Sequence, residues 1–145
     1  MNLSRRQKLT SFGFFVLTIF SLTGCSSPVY DEPITGPYRL IAADRIDQLH
    51  VCYDLGNGGC LGKIPATTFS VGYGHTYLVA KVNSGSIQNP DIHYYHLDMT
   101  VDDMYKNADE ITIGPLTEDQ YLEAKASLNL PEFSITIDQL IPVPN

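Results

Sequence analysis

Apolar residues fall at every second position through the middle of this chain, and that period of two constrains the fold more than any other feature. Leu49, Val51 and Tyr53 alternate with His50, Cys52 and Asp54. Phe69, Val71 and Tyr73 alternate with Ser70 and Gly72, and Leu78, Ala80 and Val82 continue the pattern. Successive side chains of an extended chain point to opposite faces, so such runs are strands with one face buried. Residues 38–43 and 92–99 extend the set on either side, and Phe133, Ile135 and Ile137 supply a closing strand. Glycine and proline punctuate the runs. Residues 55–62 (Leu-Gly-Asn-Gly-Gly-Cys-Leu-Gly) must turn, Gly74-His75 suits a two-residue type II′ hairpin, and Asn83-Ser84-Gly85 is a break.

One late segment changes period. Thr117 and Gln120 have the spacing of a capping box, with Leu116 and Tyr121 in the flanking staple positions. Tyr121, Ala124 and Leu128 then fall on one helical face, and Asn129 and Pro131 end the element. A shorter helical turn, capped by Thr100, is expected within residues 100–107. The expected fold is therefore mainly β (α+β). It is a single antiparallel sheet, strongly bent or partly closed into a barrel, with one C-terminal helix packed on it. The domain is expected over residues 37–141, followed by a tail at 142–145.

The first two dozen residues stand apart from this pattern. Arg5, Arg6 and Lys8 precede an apolar run over residues 12–22. That run is too short for a bilayer-spanning helix and suits the hydrophobic region of a signal peptide. It closes on Leu22-Thr23-Gly24-Cys25. These four residues resemble the lipobox of bacterial lipoproteins, in which Leu, a small residue and Gly or Ala precede an obligatory Cys. The resemblance implies that residues 1–24 are a removable signal peptide and that the Cys25 thiol carries diacylglyceryl. It also implies that two or more fatty chains anchor the new N-terminus to a membrane, since one chain alone binds only marginally. Residues 25–36 are then the lipidated cysteine and a flexible, proline-broken spacer. Ser26, where Asp is absent, implies an outer membrane facing the periplasm in a Gram-negative envelope, and otherwise the outer face of the cell membrane. A second resemblance rests on residues 51–60, Ile64-Pro65-Ala66-Thr67 and Gly114-Pro115-Leu116-Thr117. This pattern is similar to small bacterial lipoproteins without an assigned activity, and it brings no catalytic residue with it.

Removing the leader takes Arg5, Arg6 and Lys8 and moves the formal charge from −7 to −10. Arg39, Arg45, Lys63, Lys81, Lys106 and Lys125 are left against 16 Asp and Glu. This balance argues against nucleic acid and against a polybasic grip on anionic lipid, and leaves a basic partner open. Cys52 and Cys60 are an even pair in an exported chain, so a disulfide is expected, contributing about 2–3 kcal/mol. Zinc is the competing reading. It needs two further ligands, and no histidine stands near enough in sequence to suggest them.

The remaining candidates for chemistry are sparse, and no catalytic residue, metal ligand or cofactor is expected. In His93-Tyr94-Tyr95-His96-Leu97-Asp98, a strand would point His93 and His96 to opposite faces, where they cannot share an ion. Asp102, Asp103, Asp109 and Glu110 lack the spacing and the glycine of a calcium loop and are expected to be solvated. Gly56-Asn57-Gly58-Gly59 lacks the P-loop pattern, and no G-x-S-x-G motif occurs. Tyr73, Tyr77, Tyr94 and Tyr95, with His96, fall on adjacent strands. They are either cross-strand packing or a binding surface of amphipathic rings.

The expected function is a non-enzymatic, membrane-anchored envelope lipoprotein that binds or inhibits another envelope or secreted protein. An immunity-type inhibitor of a basic toxin is one version. The alternatives are an envelope-structural lipoprotein without a discrete partner, and a small periplasmic hydrolase or metal-dependent enzyme. The last would need His50, His75, His93 and His96 to converge with a nucleophile or metal. Cys25→Ser is expected to abolish fatty-acid labelling and to leave the chain at precursor size on electrophoresis. A processed variant that still pellets with membranes would overturn the lipobox assignment.

Overall fold

The computed structural model describes residues 27–143, so Cys25 and the leader lie outside the described residues. The chain is mainly β and antiparallel, with one longer helix packed on it. The first sheet runs in sequence order: β1 (Tyr30–Thr35), β2 (Tyr38–Ala42), β3 (His50–Asp54) and β4 (Cys60–Ile64). The second contains β5 (Thr68–Tyr73), β6 (Tyr77–Asn83), β7 (Ile92–Asp98), β8 (Thr112–Leu116) and β9 (Ile135–Thr136), in the order β8-β7-β6-β5-β9. Two helices complete it, α1 (Ala108–Ile111) and α2 (Glu118–Leu128).

The alternation read from the sequence builds the core. Tyr38, Leu40, Ala42 and Val51 from the first sheet meet Val71, Leu78, Ala80, Val82 and Leu97 from the second in one buried cluster. The opposite face of the second sheet is covered as well. There Val79 and Tyr94 pack with Tyr121 of α2 and with Leu130 just beyond it. Because β6 lies between these two clusters, Leu78, Val79 and Ala80 are all fully buried. The layers are thus sheet, sheet and helix.

The strands divide between two sheets, where a single bent sheet or partial barrel is expected, and the sheets do not close into a barrel. Residues 65–67 make the handover. Pro65 has no amide to continue the ladder of β4, and the Thr68 amide donates instead to the Leu49 carbonyl at 2.7 Å. The expected flexible spacer over 25–36 is also corrected. Its second half is β1, registered on β2 from Tyr30↔Ala42 to Thr35↔Tyr38. Pro33 is tolerated there because β1 is an edge strand.

Smaller corrections follow from hydrogen bonding. The Gly74 amide donates to the Tyr77 carbonyl at 2.9 Å, so the hairpin turns on His75-Thr76, one residue later than expected. The short helix begins at Ala108 after an Asn107 cap, not within residues 100–107. On α2 both capping-box bonds form, Gln120 amide to Thr117 Oγ1 at 3.3 Å and Thr117 amide to Gln120 Oε1 at 2.9 Å. Asn129 then closes the helix at φ 54°. Leu128 is exposed, and Leu130 fills the position expected for it.

After α2 the chain crosses directly over β5. A Cβ on Gly72 would lie 2.0 Å from the Glu132 carbonyl oxygen and 2.9 Å from Phe133 Cα, both of them backbone. The crossing is fixed by the Ser134 amide, which donates to the Val71 carbonyl at 2.9 Å. Gly72→Ala is expected to destabilise by about 1–3 kcal/mol, the range for overpacking, seen as a lower denaturant midpoint. An unchanged midpoint would mean that the crossing segment shifts freely.

Candidate functional site

Lys63 sits near the end of β4, beside Ile64 of the core, and neither its side chain nor that of Asp102 is exposed to solvent. Its Nζ lies 2.6 Å from Asp102 Oδ1 and also donates to the carbonyls of Lys106 at 2.7 Å and Asp103 at 3.2 Å. An ammonium has three donors, and all three have acceptors here. Asp102 is equally well held. Its Oδ2 accepts from the Tyr38 hydroxyl at 2.7 Å, and its Oδ1 also accepts from the Asp103 amide at 2.8 Å. The Tyr53 ring covers the ammonium at 5.3 Å and meets Tyr38 edge-on at 5.6 Å. Burial, then the hydrogen bond to Asp102, push the Tyr38 hydroxyl well above its ordinary pKa, so it stays a neutral donor.

This network fixes the backbone of loop 99–107, which leaves the second sheet after β7 and crosses to β4 of the first. Local bonds tighten it further. The Met99 amide donates to the Thr76 carbonyl, the Thr100 amide to Asp98 Oδ1 and the Tyr105 amide to Asp103 Oδ1, all within 2.8–2.9 Å. With the backbone held inward, Val101, Met104 and Tyr105 project outward, while Met99 packs against the core. Val101 is 48% exposed, Met104 44% and Tyr105 85%. Beside the loop, a cleft of about 350 Å³ opens between the sheets, lined by Gly36, Pro37, Tyr38, Tyr53, His75, Met99 and Asp102. The chain enters at the other end of the sandwich, where the Val29 amide donates to the Ala43 carbonyl at 3.2 Å.

The tyrosines expected as a possible binding surface do not share one face. Tyr94 is buried under α2, stacked on Tyr121 at 4.8 Å with Phe133 alongside. His96 is buried, with the Tyr77 ring edge-on at 6.1 Å, and burial lowers its pKa. Tyr95 packs against the core between the sheets, and Tyr73 is exposed at the end of β5. Most of this set is packing. Asp102, expected to be solvated, is the most deeply placed acid of its segment.

The Cys52–Cys60 disulfide is present and joins β3 to β4, with Cα atoms 5.7 Å apart. A histidine does stand near it, contrary to the sequence reading. One ring nitrogen of His50 and the two sulfurs all lie within 4.8 Å of one another. The signal was available, since positions 50 and 52 share a strand face. The other histidines are elsewhere: His75 in the β5–β6 turn, His93 bonded to Asp91 at 3.0 Å, and His96 on the opposite face of β7.

No family model, curated protein or solved structure matches this chain.

Lys63→Met is expected to cost about 3–5 kcal/mol, because it leaves the Asp102 carboxylate buried without its countercharge. Lys63→Met with Asp102→Asn should lose less than the two single changes combined. Denaturant unfolding of the four proteins measures this, and strict additivity would show that the two groups do not act as a pair.

Proposed function

We propose that this protein is an exported lipoprotein of the cell envelope, a tethered and non-enzymatic module that binds another protein through loop 99–107 and the adjoining cleft. One observation supports the reading: the lipobox motif precedes the Tyr30 end of β1, while the Tyr38 end of the β1–β2 hairpin meets the loop through Asp102. Cys25 precedes the start of β1 at Tyr30 by five residues. A chain of that length reaches at most about 17 Å, so a lipid anchor on Cys25 holds the Tyr30 end close to the membrane. The far end then faces outward. Among the described residues no helix is long and apolar enough to cross a membrane.

The loop has the properties of a contact surface. Tyr and Met supply large apolar area, and their backbone is already ordered, so little conformational entropy remains to be lost on binding. Asp98 and Asp109 flank the loop in sequence and Asp103 lies within it, and the mature chain is acidic overall. These charges favour a basic partner, and an immunity-type inhibitor of a basic toxin is one form that such a partnership takes.

Site-specific photocrosslinking in intact envelopes tests the reading. A crosslinker at position 105 is expected to give one discrete protein adduct, and one at the exposed Glu123 of α2 is not. Tyr105→Ala should weaken binding of the captured partner at least tenfold while leaving the unfolding midpoint unchanged. Equal adducts at both positions, or none under several growth conditions, would count against a binding role for the loop.

A further inference from the structure

We infer that His50, Cys52 and Cys60 form a zinc site when the disulfide between the two cysteines is reduced. The three residues belong to paired strands. His50 and Cys52 lie two positions apart on β3, and Cys60 follows across the hairpin on β4, where Asp54↔Cys60 and Cys52↔Gly62 fix the register. Their donor atoms are within 4.8 Å of one another. Tetrahedral zinc, with Zn–S near 2.3 Å and Zn–N near 2.0 Å, needs donors about 3.3–3.8 Å apart. Side-chain rotation alone closes that difference, because the strands already hold the Cα atoms of the cysteines 5.7 Å apart.

The surroundings suit a metal site. His50 Nδ1 is 3.0 Å from the Gln48 carbonyl. In the tautomer that donates this bond, the ring is oriented and the Nε2 lone pair is free, the usual arrangement behind a ligating imidazole. Arg39 stands beside Cys52 in register, with its guanidinium paired to Asp31 at 2.6 Å. Gly62, between the ligands, has no side chain to fill the space; a Cβ there would touch only the His50 ring, at 4.0 Å. Cys60 is exposed and His50 half-buried, so both the bond and the ion are reached from solvent. Two thiolates and an imidazole select zinc over calcium or magnesium, and water completes the fourth position.

The switch needs a dithiol reductant. One of its thiolates attacks the exposed Cys60 sulfur and Cys52 leaves as a thiolate. The second thiol of the reductant then displaces Cys60, and the reductant departs as its own disulfide, having supplied two electrons and two protons. Zinc next replaces the two thiol protons, which are released to solution.

The test uses the full chain in detergent, carrying Cys25→Ser so that only two thiols are present. After reduction, one zinc ion is expected per chain, with two protons released and the melting temperature raised. Cobalt in place of zinc should show a thiolate charge-transfer band. The oxidised chain should show none of these. His50→Ala should weaken zinc affinity at least tenfold, and Arg45→Ala, an exposed change outside the cluster, should not. Absence of zinc binding and of the melting shift in the reduced chain would overturn the inference. Equal affinity in the His50→Ala chain would also overturn it, by removing the histidine from the site.

Discussion

The ion pair between Lys63 and Asp102 is the interaction on which the path of loop 99–107 depends. It takes two charges out of water, a cost that is met only because every donor of the ammonium and both carboxylate oxygens have partners. Those partners come from three places: Tyr38 of the first sheet, Lys63 on its edge strand, and the loop that leaves the second sheet. The apolar core would let the two sheets slide or splay by small amounts. A hydrogen-bonded ion pair has no such latitude, so it sets where the loop crosses and how wide the cleft stands. Apolar replacements would hold the sheets together equally well, but they would not select a single path for the loop.

What the sequence disclosed follows from how local each signal is. The strands β5, β6 and β7 and the helix α2 were legible because a period of two, a capping box and a left-handed Asn129 are each encoded within a few residues. β1 was obscured by its polar Asp31 and Glu32 and by Pro33, residues that an edge strand accepts and an isolated segment resembling a spacer also contains. The division into two sheets was invisible for a similar reason. Alternation tells which residues face inward, but it does not tell which sheet they face from.

The site was less legible than the fold. Lys63 follows a glycine and precedes a core isoleucine, an odd place for a charge, but its partner lies 39 positions away. No local pattern connects them. The tyrosines were conspicuous as a group and proved to be distributed over both faces of the second sheet. Tyr105, the most exposed of them, belongs to the acidic segment that otherwise drew attention only for its carboxylates. His50 stands two positions from Cys52 on one strand face, but the cluster is completed only by Cys60 from across the hairpin, which spacing along the chain does not encode.

The two-residue strand β9 has a consequence for how the chain reaches its folded state. It pairs Ile135 with Val71 and Thr136 with Ser70, positions about 65 residues apart along the polypeptide. Until it arrives, β5 presents an open ladder of unpaired amides and carbonyls, a template for joining another copy of itself. Long-range closures of this kind are slow. A nascent molecule therefore has a vulnerable interval before this pairing forms, one that a molecule truncated ahead of β9 would never leave.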